Sequence, residues 1–198
     1  MKYNPYKHHR RSIRLKGYNY SKSGIYFITL CVNQRMCLFG EINNGKMVLN
    51  DSGKMIEKWW RKLIEKFENI KLDEYKIMPN HMHGIIFIVG ADSNVCPNND
   101  SNKNQTIQGE HMDSPLQNNR VPLSKIIQWF ETMSTNEYIR NVKQNNWEPF
   151  YKKLWQRNYY ERIIRNENEL NVIRQYIINN PLNWQADNDN PNNWEKKK

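Results

Sequence analysis

The chain has 198 residues, enough for one domain with its own core and too few for two ordinary domains plus the polar stretch that it carries. Its formal net charge of +10, with a pI near 9.5, suits a polyanionic partner, and the seven Trp and eleven Tyr scattered among the cations offer rings on which bases can stack. Three cysteines without CxxC spacing fit neither a disulfide framework nor a zinc knuckle. The longest apolar run, residues 85–89, is far too short to span a bilayer, so a cytoplasmic protein without a membrane partner is expected.

Residues 1–23 read as a basic arm. Lys2, Lys7, Arg10, Arg11, Arg14, Lys16 and Lys22 precede the first acidic residue, Glu41, and with Tyr18 and Tyr20 they suit contact with nucleic acid. Residues 24–32 (GIYFITLCV) are β-branched and aromatic and predict a buried strand. Residues 38–42 and 46–49, separated by Asn43, Asn44 and Gly45, predict a hairpin. Asp51 or Ser52 then caps a helix whose apolar positions Met55, Ile56, Trp59, Trp60, Leu63 and Phe67 recur at helical spacing.

Residues 74–78 predict a short strand, Pro79-Asn80 a turn, and residues 81–89 a strand buried on both faces. Residues 91–120 turn abruptly to Asn, Ser, Gln and Asp and are expected to form a disordered insertion within the one domain. From Val121 a helix is expected, with Pro122 and Ser124 early and Ile126, Ile127, Phe130 and Met133 on one side. Arg140, Lys143, Lys152 and Lys153 add a second basic surface. Residues 154–164 predict a strand in which Trp155, Arg157, Tyr159 and Tyr160 combine stacking rings with a cation, a nucleic-acid-binding pattern. Asn166 and Glu169 open a helix in the manner of a capping box, Pro181 ends it, and residues 185–198 form a polar tail.

His81-Met82-His83 is the sharpest feature. Side chains alternate along a strand, so the two imidazoles share a face and can share one divalent ion. A third ligand is needed for Mg or Mn, and the helix after Asn166 can present one, since Tyr176 and Asn180 lie one turn apart on the flank of the Leu170, Ile173, Ile177 stripe. A phenol beside a metal-bound phosphodiester can attack in line and form a covalent phosphotyrosine. On the residues alone, a packed Tyr176 and a merely capping Asn180 stand as the alternative.

MPNHMHGII at residues 78–86, LWQRNYYERIIR at 154–165 and RQYIINNPLNW at 174–184, in this order, resemble the single-tyrosine HUH transposases, in particular the REP-associated tyrosine transposases. RRSIRLKGYNY at 10–20 and GIYFITLCV resemble the same branch, so the likeness covers most of the chain outside the polar insertion. The resemblance implies an α+β fold, an antiparallel four- to five-stranded sheet flanked by helices in a ferredoxin-like or RRM-like palm. It implies His81 and His83 as the metal pair, Tyr176 as nucleophile, and single-stranded or hairpin DNA as the partner that is cut and rejoined by a monomer or homodimer. Related insertion-sequence enzymes carry Gln one turn after the tyrosine, where this chain has Asn180, and similar members often carry His where this chain has Arg162. The rival expectations are a hairpin-DNA-binding regulatory module whose active site has lapsed, and an HxH hydrolase of small molecules.

Overall fold

The computed structural model describes residues 23–89 and 121–193. The basic arm to Lys22, the 91–120 insertion and residues 194–198 lie outside the described residues. Strands β1 (Gly24–Cys31), β4 (Ile70–Ile77), β5 (His81–Ile88) and β6 (Tyr160–Ile164) form an antiparallel sheet in the order β4-β5-β1-β6. Strands β2 (Gly40–Asn43) and β3 (Lys46–Leu49) pair separately as a hairpin. The expected α+β architecture holds, with four strands in the main sheet. Asn44 and Gly45 turn the hairpin with φ of 50° and 71°, the left-handed pair that matches strand twist in a two-residue turn.

Helices α1 (Asp51–Arg61), α2 (Leu63–Lys66) and α3 (Leu123–Gln144) cover one face of the sheet, and α4 (Glu167–Asn179) covers the other. Strand alternation divides the interior accordingly. Tyr26, Ile28, Leu30, Met82, Ile86 and Ile88 join Trp60, Ile126 and Phe130 in the larger core. Phe27, Ile85 and Ile164 meet Leu170, Ile173 and Ile177 in a smaller one. Each such side chain removed from water contributes about 1.5–3 kcal/mol. Among the described residues no helix is long and apolar enough to cross a membrane.

Three expectations are corrected. Helix α1 is capped by Asn50, whose side chain accepts from the Gly53 N–H at 2.9 Å; Asp51 and Ser52 already lie in the helix, and the Ser52 hydroxyl donates to the Leu38 carbonyl. Strand β4 begins four residues earlier than expected, because a register shift between Leu72 and Tyr75 breaks the alternation that would have revealed it. Only Tyr160–Ile164 of the 154–164 segment pairs as a strand, while Trp155 makes a single bridge to Val32. A 3-10 turn over Asn180–Ala186, with Pro181 near its start, leads to buried Asn190, whose amide donates to the Trp184 carbonyl at 2.9 Å.

The start of α4 is as expected. Asn166 accepts the Glu169 N–H at 2.8 Å, and the Glu169 carboxylate reaches back to the Arg165 N–H at 2.9 Å. This reciprocal cap and the Leu170, Ile173, Ile177 stripe together fix where α4 sits on the sheet.

Candidate active site

A tight turn, closed by the Met78 N–H on the His81 carbonyl, delivers the chain into β5 with His81 and His83 facing α4. Their ring centroids are 4.7 Å apart and both side chains are buried. Strand register sets Lys76 and Thr29 on either side of His83 and Tyr160 beyond Thr29, so these four share one row across the sheet. From above, Tyr176 of α4 brings its hydroxyl to 3.4 Å from His83 Nε2, a long contact. Phe27 lies beneath, stacked on His83 at 5.4 Å and edge-on to Tyr176 at 6.0 Å.

The hydrogen bonds assign a role to each imidazole nitrogen. Asn80 is fully buried, and its Nδ2 donates to the carbonyls of Arg35 and Asp189 at 2.9 and 2.7 Å. Its Oδ1 is therefore the acceptor facing His81 Nδ1 at 2.9 Å, which places the proton on Nδ1 and leaves a lone pair on Nε2. Thr29 Oγ1 meets His83 Nδ1 at 2.8 Å and can hold that ring in the same way. Burial keeps both rings neutral. It lowers His81 to about 3, helped by Arg35 and opposed by the Asn180 amide, and it takes His83 well below its usual value, with His81 adding to the effect.

His81 Nε2 and Asn180 Oδ1 are buried without a hydrogen-bond partner. Orphaned acceptors of this kind are costly, and here they accompany a neutral imidazole pair. Two imidazoles and an amide oxygen form a donor set able to hold a divalent metal ion. Among the described residues no third His, Cys, Asp or Glu joins the pair, which leaves the Asn180 amide as the available third donor.

Residues 187–190 close the His81 end. Asp189 pairs with Arg35, its carbonyl accepts from Asn80, and its carboxylate lies 3.9 Å from His81 Nδ1. Burial raises the Tyr176 phenol above its ordinary pKa, and Asp187 and Asp189 add to that, while Asn180 opposes it. Cys31, at the same end, is pushed up to about 11 chiefly by burial and so stays a thiol.

A family described as "Transposase IS200 like" matches residues 103–180, a span that holds Tyr176 and Asn180 and follows the histidine pair. An uncharacterized Haemophilus influenzae protein is 40% identical over 186 residues, covering 94% of this chain and 96% of that one. Over residues 103–180 the chain is similar to the IS200-like transposase family. A solved structure described as a REP-associated tyrosine transposase bound to a REP hairpin has the same fold, with a TM-score of 0.51 and 16% identity over 86% of this chain and 73% of its own.

The other residues singled out from sequence are divided. Arg157 is exposed, Tyr160 is about half exposed on the histidine face, and Tyr159 is half-buried against the larger core. Trp155 is 5% exposed; its ring packs on Phe39 and Phe130 and its indole N–H donates to Ser134, so it belongs to the core. Arg162 is exposed and pairs with Glu169 at 2.6 Å. Arg10, Arg11, Arg14, Lys16, Tyr18 and Tyr20 lie outside the described residues. Sequence reasoning missed Asn80, read there as a turn residue, and Thr29, whose signal was a Thr within an apolar strand.

Proposed function

We propose that this chain cuts and rejoins single-stranded or hairpin DNA, with Tyr176 as nucleophile and a 5′-phosphotyrosine intermediate. The observation that carries the reading is the Tyr176 hydroxyl, 3.4 Å from His83 Nε2 and on the same side as the orphaned acceptors of His81 and Asn180. His81, His83 and Asn180 would hold a divalent cation, Mg or Mn, which supplies polarisation of the phosphodiester and offsets charge on the transition state.

The chain's own residues account for the rest. The half-exposed Tyr176 ring lets the phenol lose its proton to water. The phenolate oxygen forms a bond to phosphorus as the bond to the 3′ oxygen breaks, and that oxygen leaves as a hydroxyl after taking up a proton. The phosphoryl bond energy is kept in the tyrosyl ester, so a 3′-hydroxyl can reverse the step and join strands. The cap and the Leu170, Ile173, Ile177 stripe orient α4 so that, when it is docked on the sheet, Tyr176 faces the histidine pair, as in-line attack requires.

Labelled single-stranded oligonucleotide, incubated with Mn²⁺ and run on a denaturing gel, tests the reading. Wild type is expected to give a covalent adduct whose peptide maps to Tyr176. Tyr176→Phe is expected to bind the oligonucleotide and form no adduct, while Tyr159→Phe and Tyr160→Phe still react. Binding with no adduct from wild type would favour a lapsed hairpin-binding module, and an adduct on Tyr160 would reassign the nucleophile.

A further inference from the structure

A second cleft, of about 420 Å³, lies on the α3 side of the sheet edge. Lys152, Lys153 and Arg157 stand around it, Phe150 and an edge of Trp155 form its apolar wall, and Glu131 of α3 contributes a carboxyl. Glu131 Oε1 is buried and has no hydrogen-bond partner. Burial raises this carboxyl to about 7 against the pull of Lys153. A basic rim alone would be an ordinary solvated face, but an orphaned carboxyl oxygen on a residue lining an aromatic-walled cleft costs stability that an exposed Glu would not.

The cleft is tied to the active site. The Gln156 N–H donates to the Cys31 carbonyl and the Asn33 N–H to the Leu154 carbonyl, each at 2.8 Å, and Cys31 is the β1 partner of His81. Two strand spacings, roughly 10 Å, therefore separate His81 from the segment that borders the cleft.

We propose that the cleft is a base-reading subsite that takes one unstacked guanine from the strand continuing past the cut, with Glu131 accepting its N1–H and N2–H and the three cations holding the flanking phosphates. This rests on the single-stranded DNA reading above. The base identity follows from donor chemistry. Two N–H donors arriving beside Lys153 favour the charged form of Glu131, which only accepts, and guanine alone sets two donors side by side on its Watson–Crick edge. Adenine and cytosine set an acceptor beside their one donor, and thymine flanks its single N–H with two carbonyls.

Fluorescence anisotropy in EDTA, with full-length protein and oligothymidylates carrying one dG or one deoxyinosine at successive positions, tests the subsite. At one position dG is expected to tighten binding about tenfold over thymine, with deoxyinosine, which lacks N2–H, giving only part of that gain. Glu131→Gln, nearly isosteric and checked by thermal melting, should erase the preference and leave affinity for plain oligothymidylate unchanged. Lys153→Ala should weaken all the oligonucleotides alike. Absence of a dG preference at every position, or its full survival in Glu131→Gln, overturns the subsite. Failure to bind any oligonucleotide would instead remove the single-stranded DNA reading beneath it.

Discussion

Asn80 and His81 are neighbours in sequence and also hydrogen-bond partners, with Asn80 Oδ1 accepting from His81 Nδ1 at 2.9 Å. Because the amide's nitrogen is committed to two carbonyls, it cannot turn over to present a donor to the ring. Asn80→Ala is therefore expected to weaken Mn²⁺ binding by about tenfold or more, as loss of a partner behind a ligating histidine does. Asn80→Asp keeps the acceptor for the ring but sets a carboxylate oxygen against the Arg35 and Asp189 carbonyls, so it should melt lower than wild type while keeping more Mn²⁺ affinity than Asn80→Ala. Calorimetry measures the affinity, and ¹⁵N NMR of the imidazole reports whether the proton stays on Nδ1. Unchanged affinity in Asn80→Ala would show that the amide serves only the turn.

Acid should weaken the cation-free protein through its histidines. Burial holds His81 at about 3 and His83 well below its usual value in the folded chain, whereas an unfolded imidazole titrates near about 6.5. The unfolded chain thus binds more protons below that pH, so stability is full above about 6.5 and declines as pH falls toward the folded values. The double variant His81→Gln, His83→Gln should lose less melting temperature between about pH 7.5 and about pH 5 than wild type does. Parallel losses would mean that these rings do not contribute to acid sensitivity.

Gly84 admits Trp60 to the sheet. A Cβ at residue 84 would sit 2.4 Å from Trp60 Cζ2, and Trp60 is fully buried with little room to retreat. Gly84→Ala should cost about 1–3 kcal/mol in urea denaturation, the range for an overpacked core. Adding Trp60→Phe should return part of that loss, visible as a coupling energy in a double-mutant cycle. Additive costs would sever the link between the two residues.

The basic arm can be tested through salt. Removing Arg10, Arg11, Arg14 and Lys16 should flatten the dependence of single-stranded DNA affinity on salt, by roughly 0.7 in log–log slope for each phosphate that these cations neutralise. A slope equal to that of the full chain would acquit the arm of touching DNA.

The histidine pair was legible because it rests on local rules: a Pro-Asn turn, then side chains alternating at period two. Tyr176 and Asn180 were legible for the same reason, through a cap, an apolar stripe and a one-turn spacing. Strand β4 was only half visible, since its apolar residues change phase at the irregularity after Leu72. Asn80 could not be recognised as a support for His81, because that role depends on carbonyls 45 and 109 positions away. Thr29 likewise meets its histidine 54 positions on. Trp155 misled for a different reason. Its neighbours are cationic and aromatic, but beyond the last ladder pair no alternation remains to say which way a ring turns.

The sheet's two faces are unequally anchored, and Tyr176 rides on the weaker side. Helix α4 is fastened by Leu170, Ile173 and Ile177 against three strand residues, whereas α1 and α3 interlock through Trp59, Trp60, Trp129 and Phe130 over a core that runs the length of the sheet. A helix held by so few apolar side chains opens at smaller free energy than the layer across from it. In deuterated water the amides of α4 should therefore exchange ahead of those in α1 and α3, so that Tyr176 visits solvent many times for each opening of the frame that carries His81 and His83.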